Sequence, residues 1–369
     1  MQEVLAVGAP TGHPKRRMDA TRSAGIPVTP CTSIPEVHGS WPTKWWRMWR
    51  AFQSCHRQQL RHLHGVYGYL PALATLCKSG PYIATPMGGD IYFKEQLPRS
   101  YCLEALMRRT LRRADIVTVK SDQMAARVKE LGVHPQRIAL INWGVDTTLF
   151  HPDPSQRDPE HPILLSPRAM EPLYQIDRII QAFAKVSASA QLIVVDHPNP
   201  HDPYSQSCHQ LAQDLGVWDR IKFIAPRDFS EMPKLYQRAD ICISVPRSDG
   251  LPQSAYEAMA CGCACILADL PNYDGVFVHG NTALLCQTEP GVVAEQINCL
   301  LQDRELLQRL SQSGRAYVIA NASLEKNLAD LKDLYCAVEA SKWKLGMDPL
   351  ALLLFLLEPM ERRLRGLWR

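Results

Sequence analysis

Residues 240–262 read DICISVPRSDGLPQSAYEAMACG. An apolar run, Ile241–Val245, breaks at Pro246, crosses a polar loop and resumes as a helical pattern that stops at Gly262. Strand, loop and helix in that order form the repeating unit of a parallel sheet. The loop and the helix carry two acids, Asp249 and Glu257, eight residues apart. Loops at the carboxyl ends of parallel strands form the ligand crevice of such sheets. Gly250 and Leu251 offer backbone that a ligand can approach closely. Ser254 is expected to cap the helix, whose first N–H groups suit a phosphate. Glu257, about one turn in, is placed to reach a ribose diol, and Asp249 to hold hydroxyls beyond the phosphates. Taken singly, Asp249 reads as a turn residue and Glu257 as an exposed helix acid. Together they frame a phosphate between two diols, which describes a sugar nucleotide.

The same rhythm extends both ways. VLAVG, IPVTP, LRHLHG, YIATP and DIVTVKS read as strands of a first half, with a helix at YCLEALMRRTLRRA. ILLSP, QLIVVD, IKFIA, DICISVP and ACILAD read as strands of a second, alternating with helical segments. At 369 residues the chain suits two α/β domains rather than one core. The join is expected in WGVDTTLFHPDPSQRDPEHP, where prolines and acids interrupt any periodicity. The expected division is 1–150, 151–320 and a C-terminal helical segment 321–369.

Charge divides at the same place. Residues 1–150 hold 20 basic and 10 acidic residues, residues 151–340 hold 15 and 24, and the last 29 hold 6 and 3. A basic half faces an anionic partner. No base-reading motif accompanies it, so a nucleic-acid ligand is not expected. The 12 cysteines are scattered without a C-x-x-C pair, and no secretory signal opens the chain, which together point to reduced thiols in the cytoplasm. Cys261, Cys263 and Cys265 read as buried thiols rather than metal ligands, and no cofactor or metal site is expected.

The quoted stretch resembles the E-x7-E region of family 4 glycosyltransferases, with Asp249 at the first acidic position. The following ACGCACILADLPNYDGVFVHGNTALLC resembles that family's continuation, and INWGVDTTLFHPD its N-G-V-D-x-x-x-F-x-P segment. The resemblance covers about residues 60–320 and implies a GT-B fold, two Rossmann-like domains facing each other across a cleft. It implies metal-independent transfer of a sugar from a nucleoside-diphosphate donor, UDP- or GDP-linked, with retention. The donor goes to the C-terminal domain and the acceptor to the N-terminal one. Arg168 matches the family arginine that steadies the leaving diphosphate. As implied, the catalytic set is Arg168, Asp249 and Glu257, and the donor is held by these with Tyr174, Gly250, Leu251 and Ser254.

The pattern also departs from the family. No lysine follows Arg168 before Lys185; Tyr174 stands near its place and supplies no charge. Asp196 occupies a position where glycine is usual, leaving the nucleotide base undecided. In HLHGVYGYL, His64 is the acceptor-side candidate. In TPMGGDIY, Met87 replaces the family histidine, so no general base is assigned and Gly88, Gly89 and Asp90 remain on the acceptor side.

A helix expected from Pro42 would gather Trp41, Trp45, Met48, Trp49, Phe52 and Cys55 on one face and Lys44, Arg47, Arg50, Arg57 and Arg61 on the other. That composition suits an anionic membrane surface, met through Trp45, Trp49, Arg47 and Arg50. A core-packed surface helix is the plainer reading. Arg108, Arg109, Arg112 and Arg113 add a second basic cluster. The expectation is a peripheral protein of the inner membrane face acting on a lipid-linked or cell-surface glycan acceptor. A non-catalytic membrane-bound partner of another transferase and a sugar-nucleotide epimerase on the same fold are the alternatives.

Overall fold

The computed structural model describes residues 4–7, 12–31, 60–67, 81–92, 100–186 and 189–339, together with 353, 354, 357 and 361. The tryptophan-rich segment with Trp45, Trp49, Arg47 and Arg50 lies outside the described residues. The chain divides into two units, residues 1–141 with 328–369, and residues 142–327.

In the first unit the strands are β1 (Val4–Val7), β2 (Val28–Cys31), β3 (Leu60–His64), β4 (Tyr82–Thr85), β5 (Ile116–Val119) and β6 (Ile138–Leu140). Arg61, expected on the basic face of the tryptophan-rich helix, lies in β3 instead. They form one parallel sheet in the order β2-β1-β3-β4-β5-β6. The helices are α1 (Gly12–Ser23), the short α2 (Gly89–Tyr92), α3 (Tyr101–Arg113) and α4 (Asp122–Glu130). Ser100 and Ser121 cap α3 and α4 by accepting the N–H of Leu103 and Met124. Leu63, Ala84, Val117 and Val119 pack against Met107 and Leu111 of α3 and Met124 and Val128 of α4. On the other face, Val4, Ala6, Leu60 and Ile83 meet Met18 of α1. They also meet Leu331, Tyr335 and Val338, an i, i+4, i+7 stripe.

The second unit holds β7 (Ile163–Ser166), β8 (Gln191–Val195), β9 (Ile221–Ile224), β10 (Ile241–Ser244), β11 (Ala264–Ala268) and β12 (Leu284–Cys286). All pair in parallel, in the order β12-β11-β10-β7-β8-β9. Between them run α5 (Ile176–Phe183), α6 (Pro203–Asp214), α7 (Met232–Arg238), α8 (Gln253–Ala260), α9 (Pro290–Gln302) and α10 (Arg304–Asn321). α11 (Leu324–Glu339) begins in this unit and continues into the first. Strands covered on both faces must be apolar throughout, and β10 and β11 are buried at every position. Leu164, Leu192, Ile241 and Ile266 face one core, and Leu165, Ile193, Cys242 and Cys265 the other. Cys261, Cys263 and Cys265 are wholly buried, and the Cys263 thiol donates to the Tyr236 and Ala239 carbonyls.

The unit boundary falls at Ile141/Asn142, ahead of the charge division near 150. Packing decides it: Val145 bridges Ser323, and Phe150 is buried in the second unit's core beside Tyr236. At the first of these contacts only glycine fits position 144. A Cβ there would stand 2.7 Å from the Leu324 nitrogen and 2.8 Å from the Ser323 oxygen, both backbone atoms. Overpacking of this kind costs about 1–3 kcal/mol. Gly144→Ala is therefore expected to lower the thermal unfolding midpoint by about 2–4 °C for each kcal/mol lost. A midpoint equal to the parent's would contradict the packing described.

Candidate functional site

The second sheet reverses its strand order between β7 and β10, so the loops after these two strands diverge and leave a crevice at their carboxyl ends. The residues singled out in the sequence lie in those loops. Arg168, two residues beyond β7, places Nη1 2.9 Å from Asp249 Oδ2 and 3.4 Å from Ser254 Oγ. Its guanidinium carbon stands 4.1 Å from the centre of the Tyr174 ring. The pair is largely buried, with side chains 12% and 17% exposed. Burial opposes the charge on Arg168, but Asp249, Tyr174 and Tyr273 outweigh it and hold the guanidinium more firmly protonated than usual.

Backbone and side-chain bonds lace the two loops together. The Arg247 N–H donates to the Leu173 carbonyl at 3.0 Å. Gln175 Nε2 donates to the Val245 carbonyl at 2.7 Å. To do so Gln175 adopts φ +53°, a left-handed backbone that a non-glycine residue rarely takes. Asp249 Oδ1 accepts the Gly250 N–H at 2.8 Å, and the Asn272 side chain donates to the Asp249 carbonyl. Tyr273 donates to Asp249 Oδ2 at 3.4 Å.

Ser254 does not cap the helix as expected. Pro252 is the N-cap, with no side-chain bond to the first turn, and Ser254 is the second helical residue. The fixed φ of proline starts the helix directly after it, so the Ser254 hydroxyl turns instead toward Arg168. The start of α8 thus receives no cap from its own N-cap side chain. Leu251 is buried in the core beneath, while Gly250 remains part-exposed. Glu257 is 6% exposed and accepts the Tyr236 hydroxyl at 3.1 Å. That tyrosine is pushed well above its usual pKa by burial and then by the Glu257 charge, so it stays a donor.

At the end of β8, Asp196 Oδ1 accepts from Ser205 Oγ at 2.6 Å and from the His197 N–H at 2.7 Å, while His209 Nε2 lies 2.9 Å from Oδ2. A carboxylate in place of glycine here staples the loop onto α6. Gln175, Tyr236, Tyr273, Ser205 and His209 were not singled out in the sequence. None lies in the quoted motif, and each finds its partner across the fold.

In the first unit the order reverses at β1/β3, and His64 ends β3 there. Its ring stacks on His62 at 4.1 Å, and its buried Nδ1 has no hydrogen-bond partner among the described residues. His62 is held at 2.6 Å by both Tyr335 Oη and Thr85 Oγ1, and Thr85 also bonds to Thr118. Burial, then Arg17, drives His64 down to about 3; burial, then His64 and Arg17, lowers His62 as well. Burial likewise brings Arg17 down to about 10. Asp90 turns inward: it accepts the N–H groups of Met87 at 2.8 Å, Gly88 at 2.9 Å and Val66 at 2.9 Å. The carboxylate that the sequence offers to an acceptor hydroxyl therefore fastens the loop after β4 to the loop after β3. Gly88 makes that turn at φ +114°, and Gly89 begins α2.

Two family models match this chain in succession: "Glycosyl transferase 4-like domain" over residues 1–144 and "Glycosyl transferases group 1" over residues 149–317. The chain is 26% identical to the N-acetyl-alpha-D-glucosaminyl L-malate synthase of Bacillus anthracis over 74% of its own length and 71% of that protein's. It is 27% identical to D-inositol 3-phosphate glycosyltransferase 2 of Catenulispora acidiphila, over 51% and 48% of the two lengths. Its fold superposes on Anabaena HepE in complex with UDP and glucose with a TM-score of 0.77 and 16% identity, covering 91% of this chain and all of that one. The chain belongs to the group 1 glycosyl transferases and has the GT-B fold of two Rossmann-like domains.

The buried imidazoles give the first unit a signed pH dependence. His64 is neutral when folded down to about pH 3, whereas an unfolded histidine titrates near 6.5. Its contribution is complete above pH 6.5 and is lost as pH falls below that value, by up to about 1.4 kcal/mol per pH unit. Urea unfolding at pH 7, 6 and 5 should therefore show a shallower loss for His64→Leu than for the parent chain. Parallel losses in the two proteins would contradict the buried neutral ring.

Proposed function

We propose that this group 1 glycosyl transferase moves a sugar from a nucleoside-diphosphate donor, bound in its second unit, to a hydroxyl of an acceptor bound in its first. The observation that carries the reading is the buried Arg168–Asp249 pair at the β7/β10 reversal, beside the start of α8. A diphosphate placed there meets a guanidinium, a serine hydroxyl and the N–H groups of a helix terminus. Asp249 and Glu257 flank it and supply acceptors for sugar and ribose hydroxyls. The complex of HepE with UDP and glucose favours UDP over GDP as the carrier.

The reaction proceeds with retention and without a metal. The bond from the anomeric carbon to the diphosphate oxygen breaks as the acceptor oxygen attacks from the same face. The acceptor proton passes to the departing phosphate, so no protein base is required. Arg168 and the start of α8 stabilise the charge that develops on the leaving diphosphate, where preorganised dipoles and charges lower a barrier most effectively. The acceptor is a lipid-linked or cell-surface glycan, a reading that rests on the tryptophan-rich and basic stretch of the sequence. A small anionic acceptor is the second reading. The malate and inositol-phosphate named for two relatives favour it, as does buried Arg17, 7% exposed, beside the two histidines of the first unit.

Calorimetric titration with UDP, GDP and ADP tests the donor site. One nucleotide should bind saturably, and Glu257→Ala should weaken it by about tenfold, or ~1.4 kcal/mol. Asp249→Ala should retain the nucleotide and mainly lower the rate of transfer. Unchanged kinetics in both variants would sink the assignment. No binding of any of the three would move the chain to the role of a non-catalytic partner.

A further inference from the structure

We infer that Arg247 is the second phosphate-binding cation of the donor site, an inference that rests on the donor reading above. The need for one follows from charge. Arg168 is already paired with Asp249 at 2.9 Å, so the two together bring no net charge to a diphosphate that carries more than one negative charge. Tyr174, packed against Arg168, offers an aromatic ring and a hydroxyl but no cation.

The loops at the carboxyl ends of the six strands of the second unit supply few candidates. The loops after β8, β11 and β12 contain neither lysine nor arginine. The loop after β9 contains Arg227, which faces Glu231 at 3.7 Å. The loop after β10 contains Arg247, and that after β7 contains Arg168 itself. Lys185 lies beyond the C-terminal end of α5, its carbonyl accepting from Asn298 and its ammonium beside Gly291, both residues of α9.

Arg247 is also the one held in the right place. Its own N–H is bonded to the carbonyl of Leu173, the residue before Tyr174, and the Gln175–Val245 bond fixes the same loop two residues earlier. The backbone is pinned while the side chain is exposed, and its guanidinium forms no ion pair or hydrogen bond among the described residues. A cation whose backbone is fixed to Leu173, one residue before the tyrosine that packs on Arg168, can fold onto a phosphate as the donor enters. Its planar fork suits two phosphate oxygens at once. The missing charge is thus restored from a different strand end.

The test is calorimetry with UDP, UMP and uridine, or the guanosine series where the parent selects GDP. It compares the parent chain with Arg247→Ala, Arg247→Lys and the control Arg227→Ala. Arg247→Ala should weaken the diphosphate by about tenfold or more, leave the nucleoside unchanged and flatten the salt dependence of binding. Arg247→Lys should recover part of the loss, and Arg227→Ala should match the parent. Equal diphosphate affinity in Arg247→Ala and the parent would overturn the inference while leaving the donor site standing. So would an equal loss across diphosphate, monophosphate and nucleoside, which would mark a structural role. A parent chain that binds no nucleoside diphosphate would overturn the donor reading and this inference together.

Discussion

The candidate site of the second unit depends on how the loop after β7 is bound to the loop after β10. Parallel strands that reverse their order leave a gap between their carboxyl ends, and nothing in the sheet itself sets its width. Here three bonds set it: Gln175 to the Val245 carbonyl, Arg247 N–H to the Leu173 carbonyl, and Arg168 to Asp249. The first is buried and places Gln175 in a left-handed backbone, a strain of about 1–3 kcal/mol that persists only because surrounding contacts fix it. The third is an ion pair withdrawn from water, where one partner without the other would be strongly unfavourable. An arginine held this way is desolvated and oriented by the protein alone, the preorganisation on which the proposed role of Arg168 rests.

Each unit uses its own reversal point differently. The second unit keeps charge there, with a guanidinium, carboxylates and a helix start around a part-exposed glycine. The first unit buries a polar chain running Tyr335–His62–Thr85–Thr118, with His64 stacked on His62 and Arg17 close to both. Satisfied buried networks of this kind specify one arrangement of a core, and a single unpartnered atom within them stands out. Among the described residues His64 Nδ1 is such an atom, at the end of a strand that borders the reversal.

Much of this was legible in the sequence where pattern and chemistry coincide. Long apolar strands followed by helices gave ten of the twelve strands among the described residues their places, because burial on both faces leaves an unbroken apolar run. β6 and β12, three residues each, were too short to carry such a signal. Arg168, Tyr174, Asp249 and Ser254 do converge, although they come from two strand ends about 80 residues apart. The residues that escaped notice act through distant partners: Gln175 through a carbonyl on β10's loop, Tyr236 through Glu257, Tyr335 through His62. Asp90 was legible only in part. A carboxylate beside two glycines looks available to a ligand, and only the fold reveals that three backbone N–H groups turn toward it.

The proposed nucleotide site draws jointly on residues 167–175 and 245–258. Hydrogen–deuterium exchange with and without saturating nucleoside diphosphate measures this directly. Added protection is expected in both segments together, including the first turn of α8, with the β3 and β4 ends of the first unit unchanged. Protection of one segment without the other, or protection confined to the first unit, would contradict it.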